Sequence, residues 1–370
     1  MPPGAHAILS ASSAHRWINC PPSARLEQQF PNRSSPAAAE GSAVHALGEA
    51  KIRRELMSED VEMPTSEYDS EEMDRHTDDY LAFVAEQLSR FENPLLYIEQ
   101  RLDFSEYVPD GFGTGDCVII SDDELHVIDF KYGLGVHVEA ERNPQMMLYA
   151  LGALSNCKGI CDIRKVSMTV FQPRRENIST WTETVDDLKN WAEHTLAPAA
   201  KQAFAGEGQY SCGDWCVFCR AKQTCRARAE ANLSLLRYEL ERPPLLSDDE
   251  IDQILGRLEG LVRWAEEIRS YARHSALRRG KRWNGFKLVE EKTFRRYTNE
   301  KAVAEAVLQL GIDPYEKKLL GIGAMAKLLG RERFDDLLGH LIEKPRGKPT
   351  LVPITDRRPE ILIDTENKGE

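Results

Sequence analysis

The chain has no apolar run approaching the ~18 residues that a membrane-crossing helix needs. Its start, MPPGAHAILSASSAHRW, has neither a basic n-region nor an apolar h-region. A secretory leader is therefore not expected, and a cytoplasmic address is the default. Internal repeats and low-complexity tracts are missing too, which sets aside solenoid and collagen-like architectures. No phosphate-cradling P-loop is present, so any helicase or ATPase would be another chain. Positive charge is also in deficit: 48 basic against 60 acidic residues give a net charge of −12. Taken alone, that argues against a surface coated for nucleic acid. What remains is an ordinary globular composition, 370 residues with 41% hydrophobic and 29% charged. At roughly 150 residues per domain this length suggests two to three domains. In a reducing compartment, the eight cysteines read as ligands, core residues or redox groups rather than disulfides.

The segment from Pro36, PAAAEGSAVHALGEAKIRREL, is Ala-rich and reads as a helix. Residues 58–79 carry ten acidic residues and one Arg, and read as a solvated loop and helix start. Residues 96–102, 114–120 and 125–131 have strand patterns. NPQMMLYALGALSN at 143–156 reads as a helix with Asn143 as N-cap and Pro144 in its first position. Another strand is expected at 163–173 and an amphipathic helix at 184–206. The fold class is thus mixed α/β, in the order helix, three strands, helix, strand. ERPP at 241–244 reads as a linker between a domain over 1–240 and a mostly helical one over 241–370. The second domain should start with a long helix at 247–279. A short β segment at 282–297, two or three small helices and an extended arm then follow.

The most informative stretch is GTGDCVIISDDELHVIDFKYG. Ser121-Asp122-Asp123-Glu124 signals a turn between two strands. In the register this turn sets, Ser121 faces Glu124 and Asp116 faces Asp129. Alternation adds Val118, Ile120, Leu125, Val127 and Lys131 to the same face. Two opposed carboxylates destabilise a sheet unless a cation lies between them, and a hard divalent metal takes carboxylate oxygens. Lys131 could orient or deprotonate a water, or offset charge on a phosphate oxygen. Glu99, in the preceding strand, either extends the acidic site or, the preferred reading, faces outward. Glu49 lies one turn from His45, beside the site or simply solvated.

Four short motifs surround this pair: Gly41-Ser-Ala-Val-His45 on the Ala-rich helix, Gly113-Thr-Gly-Asp116, Asp129-Phe130-Lys131, and Gln145-Met-Met-Leu-Tyr149. In kind and order they resemble the PD-(D/E)XK nuclease superfamily, in its RecB-like branch with CRISPR-associated and helicase–nuclease relatives. The resemblance spans roughly residues 10–230. It implies a restriction-endonuclease-like core built as a helix, a three-stranded meander, a helix and a strand. It further implies Mg²⁺ or Mn²⁺ held by His45, Asp116, Asp129 and the Phe130 carbonyl. Lys131 would activate the hydrolytic water, and Gln145 and Tyr149 would contact DNA or support the site. The branch often has Glu where this chain has Asp129, and both are carboxylates.

Cys216, Cys219 and Cys225 lie in a basic, Trp-containing segment, GDWCVFCRAKQTCRARA, with Cys212 four residues before it. Four local thiolates would suit a structural Zn²⁺. Alternatively, Cys20 with Cys216, Cys219 and Cys225 would hold a [4Fe–4S] cluster. In the RecB-like branch a cysteine near the N-terminus and a Cys-x2-Cys-x5-Cys after the nuclease motifs form such an iron–sulfur staple. LSASSAHRWINCPPSARLE, with Cys20 before Pro21, matches its N-terminal part. Cys212 is then a spare thiol, and Cys117, Cys157 and Cys161 read as small core residues.

Residues 263–297 hold eleven Lys/Arg against four Glu, interleaved with Trp264, Tyr271, Trp283, Phe286, Phe294 and Tyr297. That pattern suits phosphate tracking and base stacking. Arg278, Arg279, Lys281 and Arg282 are the candidates there, and Arg174 and Arg175 after the fourth strand are others. The ending from Glu343 to Pro353, EKPRGKPTLVP, resembles an uncharacterised phage and prophage family across nearly the whole chain. Phage replication, recombination or repair, in the bacterial host cytoplasm, is the setting this implies. The expected function is a metal-dependent DNA nuclease, in exonuclease form, working on DNA with a single-strand annealing or replication protein. The alternative is a non-catalytic DNA-binding or scaffold protein of a phage replication or recombination complex.

Overall fold

The computed structural model describes residues 7–31, 36–121, 123–159, 162–235, 245–290, 297–315 and 318–343, with Val352, Asp356 and Pro359. Asp122, Cys161, the ERPP segment and most of the C-terminal arm lie outside the described residues. The chain divides into two compact units, Met1–Tyr271 and Ala272–Glu370.

Two short helices, α1 (Ala14–Asn19) and α2 (Ser23–Leu26), precede α3 (Pro36–Leu56) and α4 (Glu71–Leu88). Three strands then follow in an antiparallel meander: β1 (Leu95–Asp103), β2 (Phe112–Ile120) and β3 (Glu124–Phe130). Helix α5 (Pro144–Asn156) crosses over to β4 (Lys165–Gln172), which pairs parallel with β3. A parallel neighbour demands such a crossover, because a tight turn cannot reverse the chain twice. The sheet runs in the order β1-β2-β3-β4-β5. Its last strand, β5 (Asn177–Thr184), was not expected from the sequence. It is an edge strand whose side chains are mostly exposed or half-buried, so it lacks an apolar face strong enough to stand out. Helix α6 (Val185–Trp191), a π segment at Ala192–Leu196 and α7 (Ala197–Ala205) occupy the expected helical stretch. Beyond them come α8 (Arg226–Leu233) and the long α9 (Asp248–Arg279).

β3 is buried along its whole length, since helices cover both faces of the sheet at its centre. Cys117, Ile119, Ile128 and Phe130 pack with Val44, Ile52 and Tyr80 of the α3–α4 layer. Val118, Ile120, Leu125 and Val127 pack with Met146, Ala150 and Ala153 of α5. The pairs Ile120↔Leu125 through Cys117↔Ile128 have the expected register. The turn closes as expected too, Ser121 N–H donating to the Glu124 carbonyl at 2.9 Å. Asn143 caps α5 by accepting the Gln145 N–H at 3.0 Å, with Pro144 in the first position. Part of the acidic stretch has a structural duty: buried Lys51 of α3 reaches Asp74 at 2.7 Å and Asp78 at 2.5 Å on α4.

In the second unit, α10 (Glu300–Leu308), α11 (Ile322–Leu329) and α12 (Arg331–Leu338) are short. Ala304 and Phe334 are its buried apolar residues among those described. The expected β segment amounts to one bridge, Trp283↔Phe286, over its described part.

Candidate functional site

The pairing of β2 with β3 stops one step before Asp116 and Asp129. There the Phe130 N–H donates to Asp116 Oδ2 at 2.8 Å instead of to a backbone carbonyl. Asp116 Oδ1 is left 3.5 Å from His45 Nδ1. Gly48, one turn on from His45 in α3, faces the Tyr80 and Phe130 rings at ordinary van der Waals distance. A Cβ there would stand 3.4 Å from the Tyr80 ring and 3.5 Å from the Phe130 ring. Those two rings stack at 4.4 Å, and the His45 ring lies 5.6 Å from Phe130.

Asp129 is buried and engaged on both oxygens. Gln145 Nε2 donates to Oδ1 at 3.0 Å, and Lys131 Nζ sits 2.7 Å from Oδ2. Gln145 Nε2 also lies 3.3 Å from Tyr149 Oη, as donor. The Tyr149 ring fits because residue 113 is glycine; a Cβ there would meet Tyr149 Cε1 at 2.9 Å. The Gly-x-x-Asp and Gln-x-x-x-Tyr motifs therefore interlock sterically, and Gln145 and Tyr149 support the carboxylates from α5.

Glu99 departs from the expectation of an outward-facing strand residue. It holds φ at +49°, in the left-handed region, inside β1. Pairing with β2 keeps one register on either side, Ile98↔Cys117 and Gln100↔Gly115, and skips Glu99 opposite Asp116. The carboxylate joins His45 and Asp116, with one ligand atom from each of the three within 4.8 Å of the others. Pleat alternation assumes a regular backbone, so no residue pattern signals this reversal. Glu49 takes a hydrogen bond from Arg53 Nε at 2.8 Å.

Burial acts to lower the His45 pKa. Asp116, with Asp129 and Glu99 behind it, outweighs that and holds the imidazole up to about 9. Burial and then the Asp116 charge push Glu99 up to about 7. Burial also raises Asp129 against the pull of Lys131. The stability that these two groups lend the metal-free protein is therefore expected to fall as pH rises. Both His45 and Glu99 hold protons more tightly folded than unfolded, so the folded chain binds more of them. The Glu99 contribution fades between 4.5 and about 7, and that of His45 between 6.5 and about 9. Because both side chains are partly open to water, the total is on the order of 2 kcal/mol. Denaturant melts in EDTA at pH 5, 7 and 9 on wild type and His45→Gln measure it, since buried His126, held down to about 4, acts in the opposite sense in both; a difference between the two that does not shrink as pH rises would contradict the assignment.

The arginines expected near DNA have different surroundings. Arg174 pairs with Glu40 at 2.7 Å and Glu72 at 3.4 Å, and lies 3.8 Å over the Tyr132 ring. It ties the end of β4 to α3 and α4. Arg175 donates to the Leu134 carbonyl at 2.6 Å. Arg278, Arg279, Lys281 and Arg282 are exposed in the second unit, Lys281 Nζ lying 4.1 Å from the Trp283 ring centre.

Cys20, Cys216, Cys219 and Cys225 line one small pocket together with Arg16 and Lys222. Cys212 is exposed. Its hydrogen bond to Cys216 is the main influence that lowers the Cys216 thiol to about 6. Burial raises Cys20 and takes Cys219 to about 11. Hydrogen bonds already join the chain segments around the pocket. Glu27 accepts from Arg16 Nε at 2.7 Å and from the Arg220 N–H at 2.6 Å, and Arg25 Nε donates to the Phe204 carbonyl at 2.7 Å. Cys117 and Cys157 are buried in the two cores, as expected.

Among the described residues no helix is long and apolar enough to cross a membrane. A solved structure titled "Crystal structure of SSO0001" is similar over 59% of this chain and 85% of that one, with 13% identity and a TM-score of 0.30. A family described as DUF2800, protein of unknown function, matches residues 6–359. That match takes in both units almost completely, and the chain belongs to the DUF2800 family.

Proposed function

We propose that this protein is a divalent-metal-dependent deoxyribonuclease of the PD-(D/E)XK kind, acting on DNA ends in phage recombination, replication or repair. The observation that carries the proposal is the convergence of four separate motifs. His45, Asp116, the Asp129–Lys131 pair and the Gln145–Tyr149 brace meet at one end of β2 and β3. His45, Asp116, Asp129 and the Phe130 carbonyl would hold Mg²⁺ or Mn²⁺, and an imidazole among carboxylate oxygens is a fitting donor set for either. Such a cation supplies Lewis-acid charge at a phosphodiester and a nucleophilic water at neutral pH.

The chain's own residues do the rest. Burial acts to lower the Lys131 pKa, but Asp129 raises it further, so Lys131 acts as an ammonium that offsets charge on the phosphoryl oxygens. Gln145 keeps Asp129 turned toward Lys131. Among the described residues outside its own stretch of helix, nothing lies within 4 Å of where a Cβ on Gly41, one turn before His45, would stand. A helix glycine without a packing reason leaves room for a phosphate backbone to approach.

The cysteine pocket favours the iron–sulfur reading over zinc. Cys20 lines it beside Cys216, Cys219 and Cys225, whereas Cys212, which the zinc reading needs, is exposed. Arg16, Lys222 and Arg228 offset an anionic cluster there.

The test incubates the protein with Mg²⁺ or Mn²⁺ and end-labelled linear and circular DNA, single- and double-stranded, beside an EDTA control. Cleavage of linear but not circular DNA is expected. No metal-dependent cleavage of any substrate would end the enzyme reading.

A further inference from the structure

We propose that the loop from β3 to α5 opens DNA ends: Leu134 and Val136 press into the bases beside the phosphodiester at Lys131, so that the strand cut there is unpaired. This rests on the nuclease reading above and names the form of DNA that the site takes, but strand opening is measurable without cleavage.

The loop leaves the sheet at the site itself. The Lys131 N–H donates to the Phe171 carbonyl at 2.8 Å. Tyr132 is buried, with the Arg174 guanidinium 3.8 Å from its ring centre and the His76 ring edge-on at 5.8 Å. Three residues of chain reach at most about 11 Å. A stacked strand rises about 3.4 Å per nucleotide, so Leu134 stays within about three nucleotides of a phosphate at Lys131.

Beyond Tyr132 the backbone is held by the end of β4 and the start of β5. Arg175 Nη1 donates to the Leu134 carbonyl at 2.6 Å, and Gln172 Nε2 to the Val136 carbonyl at 3.1 Å. Gln172 Oε1 accepts the Val138 N–H at 2.9 Å, and Asn177 Nδ2 donates to the Val138 carbonyl at 3.0 Å. Every second residue is thus fixed, yet Leu134 is 61% exposed and Val136 45%. Loops ordinarily show polar side chains to water. A loop pinned this closely that shows two apolar ones is built to present them.

Gly133 and Gly135 are a second, independent observation. Neither has φ in the left-handed region. Their chain neighbours apart, no described residue lies within 4 Å of where a Cβ on either would stand. Neither a turn nor a close approach within the chain therefore calls for glycine here. What the two glycines contribute is open space on both sides of Leu134, where flat bases fit. Leucine and valine have no aromatic face on which a base could stack, so they act as wedges between bases rather than as platforms.

The test mixes the full chain, in EDTA and again with Ca²⁺, with a blunt duplex that carries 2-aminopurine in its terminal base pairs. The fluorescence of this base rises when it is unstacked. Wild type should raise it, and Leu134→Met should do the same. The double variant Leu134→Ser, Val136→Ser should leave it near the level of free DNA. With Mg²⁺, the ratio of cleavage rates on blunt and pre-forked ends should fall by roughly tenfold or more in the double variant, because unstacking each base step is costly. Equal fluorescence with wild type and double variant, or no rise with wild type, would overturn the proposal. So would an unchanged ratio of blunt to forked cleavage, an outcome that leaves the nuclease reading intact. A rise lost in the double variant, with no cleavage of any DNA by wild type, would sustain the strand-opening loop and sink the nuclease instead.

Discussion

Lys131→Ala should lower DNA cleavage by about 10²- to 10³-fold, the usual cost of removing one pre-positioned group that stabilises transition-state charge. Asp116→Ala should cost at least as much. Its carboxylate faces His45 with one oxygen and orders the Phe130 amide with the other. Initial rates on end-labelled linear DNA measure both. Folding must be separated from chemistry, because Lys131→Ala leaves buried Asp129 without its cation. Stranding a buried charge typically costs about 3–5 kcal/mol. The double variant Asp129→Asn, Lys131→Met removes both charges and should stay folded yet inactive. Lys131→Arg separates two roles for the side chain. A guanidinium keeps the charge but does not give up its proton. Residual activity well above Lys131→Ala indicates charge compensation, whereas activity no better than alanine indicates proton transfer.

If the cysteine pocket holds the proposed iron–sulfur staple, Cys219→Ser is expected to destabilise the first unit by about 5 kcal/mol, the chain-entropy value for losing a cross-link that closes a loop of nearly 200 residues. That is a large part of the roughly 5–15 kcal/mol that hold a native protein together. Soluble yield should fall sharply, with loss of the brown colour and visible absorbance of an iron–sulfur protein. Glu27→Gln is the contrasting variant. It weakens the hydrogen bonds to Arg16 and Arg220 but keeps every thiol, so the colour should remain. A colourless, zinc-loaded and fully active wild type would refute the staple.

Much of the fold was legible because its signals are local. Pro36 opens an Ala-rich helix that ends at Leu56 as expected, and Asn143 with Pro144 starts α5. The turn at Ser121–Glu124 sets the β2–β3 register, since a one-residue slip would turn every apolar side chain to the wrong face. That register brings Asp116 and Asp129 to the same end of the sheet. The grouping of Cys20 with Cys216, Cys219 and Cys225 came from resemblance to a family, as no local rule links residues so far apart.

β5 escaped notice because an exposed edge strand carries little hydrophobic pattern. Arg174 looked free for phosphate, and only the packing of α3 and α4 against the end of β4 supplies Glu40 and Glu72 as its partners. For Glu99 the preferred outward reading fails and the acidic-site reading holds, because strand alternation predicts a direction only while φ stays extended.

The sequence by itself determined α3, α5, the strands of the meander, the hairpin register and the nature of the groups at its end, since turn chemistry and periodicity act over a few residues. The tertiary structure alone decided which charges are already neutralised and which remain open. Asp129 is paired with Lys131 and braced by Gln145, whereas Glu99 is turned inward beside His45 and Asp116. The physical reason is that pairing and backbone reversal depend on neighbours brought in from distant segments, which a one-dimensional pattern does not contain.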